Sequence, residues 1–136
     1  MIAKGEVLFD PAFIYPQGNT ADKYVICLSN IKNHEDGVFV PVTSQQGRKL
    51  MSQGCNPSQS YYFIPPATTD MFLINTWVQF DAADLWICAN VERNLSAGKL
   101  VRKGILKPQL TKDLVACALK ADDFIPGYKL QLILSK

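Results

Sequence analysis

Hydrophobic positions in this chain fall into short runs separated by polar stretches, and a helical period emerges only late in the sequence. Residues 5–9 read as a first strand closed by Asp10-Pro11, and the polar composition of residues 12–22 reads as a loop. Residues 23–28, Lys-Tyr-Val-Ile-Cys-Leu, form a continuous apolar run behind one lysine, the pattern of a central strand. A polar connection over 29–37 then returns the chain antiparallel into a strand over 38–43. Within that strand Pro41 has no N–H for a ladder, which points to a sheet edge or a bulge. The strand ends in Thr43, Ser44 and Gln45, which either cap it or open onto a site.

Downstream, residues 45–60 read as a second long polar loop, and 61–64 as a strand stopped by Pro65-Pro66. Residues 67–75 are irregular, although Met71, Phe72 and Leu73 require something to pack against. Thr76, Val78 and Phe80 alternate with Trp77 and Gln79 as in a strand. Residues 81–94 fit a strand over 85–89 or a short helix over 82–94, and 95–106 form a basic turn or hairpin. Pro108 suits a first helical turn, and Leu110, Leu114, Cys117, Ala118 and Ala121 share one helical stripe. Tyr128, Leu130, Leu132 and Leu134 alternate with Lys129 and Gln131, which predicts a terminal strand. Many short strands with one late helix predict a mainly β domain with α, a small β-barrel carrying a helical appendage.

Composition narrows the classes. The 136 residues suit a single domain, 1–136, and 48% hydrophobic against 19% charged residues marks a globular chain. A net charge of +2 excludes a grossly basic nucleic-acid-coating protein while allowing a local basic groove. The first residues have no apolar h-region and no apolar run approaches the roughly 18 residues of a membrane span, so a cytoplasmic setting is expected. The four cysteines lack zinc-type spacing and His34 is the single histidine, so neither a metal nor a cofactor is expected. Cys27 and Cys117 fall in apolar patterns, as small core residues under reducing conditions. Cys55 lies in a turn-like setting that exposes its thiol, for a conformational role or, with His34 as base, as a nucleophile.

The order of pieces resembles the MazF/PemK family of toxin ribonucleases over most of residues 4–121. Gly5-Glu6-Val7 matches the family's opening strand, and Lys23-Tyr24-Val25-Ile26-Cys27-Leu28-Ser29 its second strand, which opens on a basic residue. Val40-Pro41-Val42-Thr43-Ser44 has the form of the strand ending in threonine. Gly104-Ile105-Leu106-Lys107-Pro108 matches the Gly-x-Leu step into a helix. The resemblance implies an SH3-like barrel that forms homodimers, cleaves single-stranded RNA without a metal, and is inhibited by a small antitoxin protein. It places the chemistry at Lys23 and Thr43. Family members carry arginine and then proline where this chain has Lys23-Tyr24.

RNA cleavage by the 2′-hydroxyl needs a proton acceptor, stabilisation of phosphorane charge, and a proton donor to the leaving oxygen. Lys23 supplies charge as a compact ammonium in place of a planar guanidinium fork. Thr43 or Ser44 can hydrogen-bond the phosphate and Gln45 can orient it. Arg48 and Lys49 follow directly as RNA-binding candidates, and Lys99, Arg102 and Lys103 offer a second basic edge. Phe13, Tyr15, Tyr61 and Tyr62 are candidates to stack on bases. With one histidine, a His–His ribonuclease mechanism is excluded. The alternative is a catalytically silent member of the same fold, binding a protein target or single-stranded nucleic acid.

Overall fold

The computed structural model describes residues 2–14, 18–30, 36–47, 49 and 52–134, with the side chains of 130, 131, 133 and 134 left aside. Eight strands pair antiparallel throughout: β1 (Glu6–Ile14), β2 (Thr20–Cys27), β3 (Asp36–Thr43), β4 (Gly54–Asn56), β5 (Tyr61–Ile64), β6 (Thr76–Gln79), β7 (Asp84–Ile87) and β8 (Val101–Ile105). The sheet order is β4-β5-β6-β3-β2-β1-β8, with β7 also on β3. Among the described residues no ladder joins β4 to β8, so the sheet is open. Among the described residues there are three α-helices: α1 (Cys88–Ser96), α2 (Pro108–Lys120) and α3 (Pro126–Leu134).

The continuous apolar runs are explained by cover on both faces of the central strands. From β2, Ile26 enters the main core under α2 and α3, whereas Val25 and Cys27 enter a second core under α1. From β3, Val38, Val40 and Val42 go one way and Phe39 the other. Pro41 is not on an edge strand. It sits at the last pair of the β2–β3 ladder, opposite Val25, where β3 also changes its other neighbour from β7 to β6. A missing N–H is tolerated at such a break.

Four expectations need correction. The Asp10-Pro11 turn is a bulge inside a longer β1, and much of the expected 12–22 loop continues the β1–β2 ribbon. The expected 45–60 loop contains the short strand β4. Residues 81–94 hold both alternatives in succession, β7 and then α1. The expected terminal strand is the helix α3: Tyr128 and Leu132 are one turn apart and both face the main core, so spacing that alternates also serves a helical stripe.

The cysteines also differ from expectation. Cys117 is buried, but it is bonded to Cys55 across a Cα–Cα distance of 5.5 Å, tying β4 to α2. Cys55 therefore carries no thiol for a nucleophilic role. His34, its suggested base, lies outside the described residues. Cys27 and Cys88 are free thiols and buried, and burial pushes the Cys27 pKa up to about 12, which keeps it protonated.

Candidate functional site

Where the β2–β3 ladder stops, β2 stays with β1 and β3 passes to β6. Continuing the register of Val25 opposite Pro41 by two residues on each strand sets Lys23 across from Thr43. The gap between the parting strands is a cavity of about 360 Å³ lined by Lys23, Thr43, Ser44 and Gln45. Sequence reasoning named all four of these residues, and the fold brings them to one opening.

Thr43 is only 6% exposed, and its Oγ1 accepts the Gln45 N–H at 3.1 Å. This local turn fixes the threonine oxygen and leaves its O–H available as a donor. Ser44 and Gln45 are exposed beside it. Lys23 is half-buried and has Asp10 as its cross-strand neighbour. Asp22 adds a carboxylate to the lining. The wall is aromatic: Phe9 packs on Tyr24 at 5.3 Å between ring centroids, and Tyr24 meets Phe72 edge-on at 5.9 Å. Lys103 Nζ stands 5.7 Å from the centre of the Phe9 ring, bringing a second cation to the rim. Leu73 and Ile74, 72% and 61% exposed, complete that rim with apolar surface.

The remaining candidates are placed elsewhere. Lys49 folds back on its own loop, its Nζ donating to the Gln45 carbonyl at 3.4 Å, and lines a separate small cavity with Asp81. Burial there raises the Asp81 pKa, with Lys49 acting in the opposite direction. Arg48 and Tyr15 lie outside the described residues. Arg102 is held in an ion pair by the buried Glu6 and by Glu92, and Lys99 borders another cavity behind β7. Phe13 and Tyr61 are core residues and Tyr62 is half-buried against the main core, so they do not offer faces for stacking. Half-buried Phe9 and Tyr24 take that place, with buried Phe72 packed edge-on against Tyr24. Their sequence signal was weak: Phe72 stood out only as part of an irregular apolar stretch, and Phe9 and Tyr24 resembled ordinary strand residues.

Among the described residues no cluster of three His, Cys, Asp or Glu side chains is arranged to hold a metal ion. No described helix is long and apolar enough to cross a membrane. The arrangement offers an ammonium, two hydroxyls and an amide around an open, partly aromatic gap, which suits an anion attached to a planar ring. The sequence matches no protein-family model and no curated protein.

Proposed function

We propose that this chain is a MazF/PemK-like endoribonuclease of SH3-like fold, acting on single-stranded RNA in the cytoplasm. The observation that carries this reading is the convergence of Lys23, Thr43, Ser44 and Gln45 on one opening beside aromatic rings. In the reaction, the RNA 2′-oxygen forms a bond to the adjacent phosphorus and the bond to the 5′-oxygen breaks. This leaves a 2′,3′-cyclic phosphate and a 5′-hydroxyl. Asp22, the carboxylate in the lining, takes the 2′-hydroxyl proton. Lys23 stabilises negative charge on the non-bridging oxygens and supplies a proton to the leaving oxygen. Thr43 and Ser44 hydrogen-bond the phosphate and Gln45 orients it. None of these steps calls on a metal. A homodimer and a small inhibitory antitoxin belong to the same reading, since both follow from the family resemblance.

The exposed Leu73 and Ile74 favour one second reading, a silent member of the fold that holds a protein target at this rim. Controlled expression in bacteria, with growth followed and RNA ends mapped beside Lys23→Ala and Thr43→Ala versions, separates the two. Growth arrest with new RNA ends, lost in both variants, is the expected result. Intact RNA from soluble, folded protein overturns the nuclease reading, and arrest without cleavage selects the protein-target one.

A further inference from the structure

A second and larger cavity, of about 570 Å³, lies between the end of β1, β7 and α1. Its size falls in the range of small-molecule sites, roughly 300–1,000 Å³. Trp86 forms part of the lining and is held from behind. It stacks on buried Phe39, with ring centroids 4.8 Å apart and planes 23° apart, and lies 6.2 Å from buried Phe13. The indole is therefore a fixed platform. Ile14 and Ile87 at the same opening are 66% and 50% exposed, apolar surface that a stacked ring would cover.

The polar groups around this platform are readers of hydrogen-bonding edges more than anion traps. Asn90 and Asn94 are one turn apart on α1, so both amides fall on one helix face, and both line the cavity. Asn94 presents an amide donor beside an acceptor, the pair that matches a nucleobase edge, while Asn90 Oδ1 accepts from Arg93 Nη1 at 3.3 Å and its amide nitrogen offers donors. Two carboxylates and one lysine, Asp10, Asp84 and Lys99, share the lining, so the site as a whole does not favour an anion. Asp10 is fixed at the bulge, its Oδ1 accepting the Ala12 N–H at 2.9 Å, and Asp84 Oδ1 accepts the Leu85 N–H at 2.9 Å. A neutral planar ring on Trp86, read by the two asparagines and with any attached phosphate near Lys99, satisfies the whole lining.

We propose that this cavity is a nucleobase-binding site, with Trp86 as the stacking platform and Asn90 and Asn94 reading the edge. The base can come from a free nucleotide or from an RNA strand, and the chemistry is the same. The proposal does not depend on cleavage at Lys23.

The test is titration of the full chain with the four ribonucleosides, their 5′-monophosphates and a 2′-O-methyl RNA hexamer, with ribose 5-phosphate and indole as controls. Tryptophan emission reports Trp86 over the constant background of buried Trp77, and side-chain amide resonances report the asparagines. Saturable quenching by at least one nucleoside or nucleotide, with shifts at Asn90 and Asn94, is expected. Quenching by the hexamer alone also supports the site and assigns the base to a strand. Asn94→Ala should weaken binding about tenfold, the loss of one edge contact. Asn90→Ala provides the same test if Asn94→Ala fails to fold. Absence of saturation with every nucleobase ligand, equal response to ribose 5-phosphate or indole, or shifts confined to the Lys23 cavity overturns the proposal. Nucleotide binding here without RNA cleavage leaves the site standing and removes only the nuclease reading.

Discussion

Cutting the covalent tie between β4 and α2 should cost the fold about 4 kcal/mol. Cys55 and Cys117 are separated by 62 residues, and closing a loop of that length in the unfolded chain costs roughly that much entropy at 25 °C. β4 is a three-residue strand at the sheet edge whose ladder partner among the described residues is β5. The perturbation is reduction of the wild type, or the Cys55→Ala/Cys117→Ala double variant, which avoids leaving a lone thiol. The assay is urea unfolding followed by circular dichroism, with thiols counted by mass spectrometry. With a denaturant slope of about 2 kcal/mol/M, the midpoint should fall by about 2 M. The cost should appear first at β4, so amide exchange there should quicken before the helices respond. Equal midpoints for the oxidised and reduced protein, with the bond verified in the former, would refute the reasoning. So would four free thiols in the protein purified without reductant.

Three further outcomes follow from local geometry. Gly5 has φ +87°, and a Cβ there would stand 2.6 Å from Thr111 Oγ1 of α2, so Gly5→Ala should destabilise by at least about 2 kcal/mol in thermal melts. Arg102→Ala removes the ion-pair partner of the buried Glu6 and leaves that carboxylate with the Ala3 N–H, a cost of roughly 1–3 kcal/mol in denaturant titrations. Burial raises the Asp10 pKa despite the Ala12 N–H that lowers it, so the folded state holds that proton more tightly than the unfolded one. Stability relative to Asp10→Asn is therefore equal below the ordinary carboxylate range and lost by the wild type as pH rises through the raised value. A melting series from acid to neutral pH reads this divergence, and parallel curves contradict it.

Central strands and α2 were legible because burial left a direct mark on residue type. β2 and β3 are covered on both faces and read as unbroken apolar runs, and α2 shows a clear stripe. Other features leave a mark with two meanings. Pro11 interrupts a strand as a bulge as readily as it ends one, which hid the length of the β1–β2 ribbon. Tyr128 and Leu132 satisfy alternation and a helical turn alike, which hid α3. The Cys55–Cys117 pairing depends on bringing distant segments together, and its spacing carries no signature. Within the candidate site, Thr43 was legible because it ends β3, and Lys23 because it opens the apolar run, although β2 itself starts earlier, at Thr20. The position of Lys49 was not legible, because its partner, the Gln45 carbonyl, is a feature of the folded loop.

In the proposed reaction Lys23 and Thr43 act together on the phosphate of single-stranded RNA. Its most direct test is incubation of the purified protein with a single-stranded RNA library, beside all-2′-O-methyl RNA and the Lys23→Ala and Thr43→Ala proteins, with the new ends identified chemically. Cut RNA bearing 2′,3′-cyclic phosphate and 5′-hydroxyl ends, intact 2′-O-methyl RNA, and a loss of about 100-fold or more in each variant are expected. RNA left whole by the folded wild type, or cut equally well by both variants, would contradict it.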